Sequence, residues 1–107
     1  MYQTTMAPQM VEYLNILEEN TRKHFTKHYP SLDLPQYEVE PGRKYNKVVK
    51  VDTQRMVHSF VDNEGNVYKA ASWRAPAKGV RFNLNTDLDV LREIADPFGG
   101  YLYLRGV

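Results

Sequence analysis

At 107 residues the chain has room for one compact domain and not for a second. Fourteen lysines and arginines stand against thirteen aspartates and glutamates, a formal net charge of +1, so no global excess points to nucleic acid, membrane or an acidic partner. Cysteine is absent, which excludes a disulfide framework, thiolate zinc sites, iron–sulfur clusters and a cysteine nucleophile.

Residues 8 to 29 carry the clearest helical signal. Met10, Leu14, Leu17, Thr21, Phe25 and His28 recur at spacings of three and four and form one stripe, widened by Val11, Tyr13 and Ile16. Pro8 suits the first turn and Pro30 stops the helix. Glu12, Glu18 and Glu19 come early and Lys23 and Lys27 late, the order that the helix dipole favours. Residues 30 to 42 hold three prolines and a glycine and read as an extended connection, in which Tyr37 and Val39 add a short strand. The period then changes to two. Tyr45 to Val51, Met56 to Val61 and Asn66 to Ala71 form a three-stranded meander within residues 43–73, turned at Asp52-Thr53-Gln54 and at Asp62-Asn63-Glu64-Gly65. Alternation puts Met56, His58 and Phe60 on one face of the middle strand and Val57, Ser59 and Val61 on the other. With both faces partly apolar, a second copy is one way to cover the outer one.

Residues 74–85 read as a basic loop, broken by Pro76 and Gly79. Thr86 is placed as the N-cap of a short helix whose inward positions are Leu88, Leu91, Ile94 and Ala95, and which ends before Pro97. Phe98-Gly99-Gly100 turns into a final strand from Tyr101 to Arg105. The expected fold class is therefore α+β: an N-terminal helix packed on a small antiparallel sheet of three to five strands, with a short second helix before the last strand.

Charge is uneven along this plan. Residues 1 to 42 hold three bases and six acids, residues 43 to 81 nine bases and three acids, and residues 82 to 107 two bases and four acids. Cations along a groove track a nucleic-acid backbone, and aromatic faces let the bases of a single strand stack; Tyr45, Tyr68 and Trp73 are interleaved with the cations of the middle segment. The residues assigned to such a site are Lys69, Trp73, Arg74, Lys78 and Arg81. The competing reading is that the acidic flanks fold back onto the basic segment and that Trp73 is a core anchor.

Little else carries chemistry. His24 and His28 are an i,i+4 pair able to share a metal, but spacing fixes no third ligand, and the residues between them lack the glutamate of a helical zinc protease. His58 and Ser59 are strand neighbours that should point to opposite faces and so form no base and nucleophile pair. Pro76-Ala77-Lys78-Gly79 lacks the first glycine, the spacing and the Ser or Thr of a phosphate loop. Asp87 with Asp89 fits helix capping, and Glu38 with Glu40 a strand edge. No catalytic residue, metal or cofactor is assigned. No apolar run is long enough to span a bilayer, and MYQTTMAPQM lacks a basic region followed by an apolar one, so a cytoplasmic protein without a membrane partner is expected.

From Lys47 to Leu84 the sequence resembles a group of small uncharacterised proteins encoded by bacteriophages. The likeness is carried by Val57-His58-Ser59-Phe60-Val61, by Gly65 to Trp73, by Pro76-Ala77-Lys78 and Arg81, and by Tyr101 to Arg105, which is similar to the group's closing segment. It implies a phage accessory product acting in the host cytoplasm, and no activity or cofactor. Two functions stand: a non-catalytic module for single-stranded nucleic acid, or a protein-interaction or virion-associated component that binds a phage or host protein or assembles as a homo-oligomer.

Overall fold

The structure, a computed structural model, describes residues 7–103. The first helix, α1, runs Pro8–His28 with proline in its first turn. Its buried stripe is Met10, Tyr13, Leu14, Ile16, Leu17 and Thr21. The stripe fades where Phe25 is half-buried and His28 exposed, so the last turn overhangs the core. The first turn holds no acid, contrary to the dipole pattern expected there; the last turn does hold Lys27 and His28.

Five strands follow: β1 Gln36–Glu40, β2 Tyr45–Val51, β3 Arg55–Asp62, β4 Asn66–Lys69 and β5 Phe82–Asn83. They form one antiparallel meander in chain order. Gly65, at φ 87°, supplies the left-handed residue of the β3–β4 turn, and Asp62 Oδ1 accepts the N–H groups of Glu64 and Asn66 around it. Strand β5 corrects the reading of residues 74–85 as loop throughout: the breakers Pro76 and Gly79 precede it, and Leu84 just beyond it is buried beside partly buried Phe82.

The second helix, α2, is Leu88–Ile94, with Asp87 and not Thr86 at its N-cap position and no side-chain cap bond. Asp87 Oδ2 accepts from Asn83 N at 2.8 Å, tying the helix start to β5. Leu91 and Ala95 are buried, whereas Ile94, expected inward, is 37% exposed. Asn20 of α1 donates to the carbonyls of Ala95 at 2.8 Å and Arg92 at 3.1 Å, closing the end of α2 against α1.

Over its described part, Tyr101 to Tyr103, the expected final strand does not form. Asp96 Oδ1 accepts from the backbone of Phe98 and Gly99, Gly99 takes φ 78°, and Gly100–Leu102 close into a 3-10 turn with Tyr101 and Leu102 buried. Arg105 lies outside the described residues.

One irregularity sets which side chains face which layer. Val48 pairs with Ser59 but Val49 pairs with Val57, so His58 is an extra residue on β3. Beyond this bulge the alternation is inverted. His58, Ser59 and Val61 all turn toward α1, and Phe60 turns to the opposite, outer face. The expected grouping of Met56, His58 and Phe60 is therefore corrected.

Candidate nucleic-acid interface

Two polar assemblies flank the sheet, one buried and one open. Beneath α1, Ser59 Oγ lies 2.8 Å from the Tyr13 hydroxyl, which lies 2.9 Å from that of Tyr101, which lies 2.7 Å from His58 Nε2. The bulge thus places His58 and Ser59 on one side of the sheet, against the expectation of opposite faces. Ser59, Tyr13, Tyr101 and His58 thus form one continuous hydrogen-bonded chain. Burial, reinforced by the Lys50 cation, pushes the His58 pKa down to about 3, and burial lifts Tyr13 to about 12 and Tyr101 well above the ordinary phenol value. Every group in the chain is closed from water. It is a fastening between the 3-10 turn, the sheet and α1, with no access for a substrate.

The outer face is different. Lys47, Phe60 and Tyr68 stand in one row across β2, β3 and β4. Tyr45 meets Phe60 and Tyr68 edge-on, with ring centroids 6.0 and 5.5 Å away. Tyr68 OH donates to Asp62 Oδ2 at 3.0 Å, which fixes the ring's direction. After β4 the chain makes a tight excursion. An Ala70–Pro76 bridge, two bonds to the Ala75 carbonyl and a 2.7 Å bond from Ala77 N to Lys69 O hold its base, and Arg74 N donates to Ser72 Oγ at its tip. Trp73 projects from this tip. It is 43% exposed, so it is no core anchor, and Lys47 Nζ lies 4.3 Å from its ring centroid.

Acids neutralise only part of the basic segment. Arg55 reaches from β3 across β2 to Glu38 at 2.8 Å and Glu40 at 2.7 Å on β1, and Val49, between those strands on the same face, is fully buried. Lys47 is 3.7 Å from Glu40. Lys69 faces the inner layer, with Nζ 3.2 Å from the Ala70 carbonyl and 4.6 Å from the Tyr103 ring. Arg81 donates to the carbonyls of Leu102, Lys78 and Gly79. Of the five residues assigned from the sequence, Trp73, Arg74 and Lys78 are exposed around one loop, while Lys69 and Arg81 are half-buried and engaged by backbone carbonyls.

Arg74 and Lys78, and likewise Arg43 and Lys44 at the start of β2, are exposed and form no ion pair with any described residue. Lys47 is the partner of Trp73 that the sequence assignment missed; the signal was there in its period-2 spacing from Tyr45 on β2.

A cleft of about 400 Å³ lies at the end of the sheet near the start of α1, floored by Met10, Val39, Val61 and Leu84. Its rim groups Asp62 and Asn85 are already used in turn and loop hydrogen bonds. Among the described residues no three His, Asp or Glu gather as a metal site, and no helix is long and apolar enough to cross a membrane.

The model of a family of unknown function, DUF7717, matches residues 2–104, and the chain belongs to that family. No curated protein and no solved structure matches it.

Proposed function

We propose that this member of DUF7717 is a non-catalytic module that binds single-stranded nucleic acid on the outer face of its sheet. The carrying observation is Trp73, exposed at the tip of a well-fastened loop, stacked under Lys47 and next to Arg74, which pairs with no acid among the described residues. A base stacks on the indole, and the exposed cations Arg74, Lys78, Arg43 and Lys44 are the groups available to its phosphates. Lys69 and Arg81 serve this reading by holding the loop and not by touching the ligand. The likeness of residues 47–84 to phage-encoded proteins supports a phage accessory product working in the host cytoplasm. Assembly through the sheet draws less support, because Val49 and Phe60 on the outer face are 0% and 3% exposed within a single chain.

Fluorescence anisotropy with labelled single- and double-stranded oligonucleotides tests this. Four phosphates neutralised by those four cations give a log–log salt slope of about −3 on single strands. Trp73→Ala removes one stacked base and weakens binding by about 1 to 3 kcal/mol. Absence of binding at low salt, or an unaffected Trp73→Ala, refutes the proposal.

A further inference from the structure

The overhanging end of α1 carries a second constellation, independent of the nucleic-acid reading. His24 and His28 sit one turn apart with ring centroids 4.5 Å from each other. Neither imidazole forms a side-chain hydrogen bond or an ion pair with any other described residue. His24 is half-buried and held by rings on several sides: edge-on to Phe98 at 5.2 Å, with Tyr29 at 5.8 Å and Phe25 at 6.0 Å. His28 is exposed.

We propose that His24 and His28 form a two-histidine chelate for a divalent first-row transition metal. The i,i+4 spacing on a continuous helix is the one by which two imidazoles share a metal ion. Packing of His24 among three aromatic rings removes much of the rotamer freedom that chelation would otherwise have to freeze. The negative end of the α1 dipole lies beside the pair and favours a bound cation. With two nitrogen donors and no carboxylate in the cluster, the site selects copper, nickel and zinc and rejects magnesium and calcium. Two protein ligands leave the other coordination positions open to water or to a donor from a binding partner.

Isothermal titration of tag-free protein with CuCl₂, NiCl₂, ZnCl₂ and MgCl₂ is the test, with imidazole NMR signals as the site-specific readout. The expected order is copper tightest, nickel and zinc weaker, and magnesium silent. His24→Gln and His28→Gln each weaken binding about 100-fold, because the second donor no longer acts at high effective concentration. Both positions lie at the overhanging helix end, and circular dichroism checks that the fold is kept. The metal perturbs the signals of His24 and His28 and leaves buried His58 unchanged. No copper binding, binding retained in the double variant, or perturbation confined to other residues overturns the proposal.

Discussion

His58 makes stability depend on pH in a calculable way. In the unfolded chain its imidazole protonates near the ordinary value of 6.5; in the folded protein, burial and the neighbouring Lys50 cation hold it neutral down to about 3. Between those two values the unfolded state binds more protons than the native one, so stability rises with pH and is lost on acidification. The slope from this residue is about 1.4 kcal/mol per pH unit, or about 2 to 3 kcal/mol between pH 6.5 and 4.5. That is a large part of the stability of a domain this small. Urea unfolding at half-unit steps from pH 7.5 to 4.5 measures it, with His58→Gln as the comparison. The variant is less stable at neutral pH, and the gap narrows as pH falls, because carboxylates elsewhere contribute equally to both. Parallel curves would refute the reasoning, as would a His58 imidazole signal that titrates near 6.5 in the folded protein.

The hydroxyl chain and the β3–β4 turn give two more tests. Tyr101→Phe removes the hydroxyl that both His58 Nε2 and the Tyr13 hydroxyl bond in the closed interior, and costs about 2 kcal/mol in urea unfolding. Ser59→Ala removes one partner from a Tyr13 hydroxyl that still bonds Tyr101, and costs about 1 kcal/mol; equal losses in the two variants would refute this ranking by the number of partners left unsatisfied. Gly65→Ala forces an L residue to φ 87° with its Cβ 3.1 Å from Asn85 Nδ2, and lowers thermal stability by about 1 to 2 kcal/mol.

Much of the architecture was legible because it rests on local rules. The three- and four-residue spacing from Met10 to Thr21 gave α1, and period-2 runs between turn residues gave β2, β3 and β4. What failed depended on contacts distant in sequence. Tyr101 to Tyr103 alternate like a strand, but Asp96 and the two glycines at 99 and 100 turn the chain before any sheet edge is reached, and Tyr101 is drawn to His58 and Tyr13. Phe82 and Asn83 are too short a run to signal a strand, and pair only because β4 is already beside them. Ile94 follows the helical period, yet the stripe that α2 buries is narrow, Leu91 and Ala95 at i,i+4, and Ile94 lies at its edge. The candidate site was legible by composition and not by geometry. Cation count alone does not separate Arg81, which holds three carbonyls, from Arg74, whose guanidinium holds none among the described residues.

The bulge at His58 joins the two halves of the molecule's chemistry. With unbroken alternation on β3, Phe60 would share the face of His58, and Ser59 and Val61 would lie opposite. One extra residue sends His58 and Ser59 together into the core, where the hydroxyl chain satisfies both, and turns Phe60 outward into the row with Lys47 and Tyr68. The buried network fixes the bulge, because a slip of register would leave His58 and Ser59 without Tyr101 and Tyr13 in a closed interior. The outer row depends on the same register, because only then do Tyr45, Phe60 and Tyr68 cluster on the face where Lys47 meets Trp73. Substitutions in the core network should therefore disturb the outer aromatic face even though they lie on the far side of the sheet.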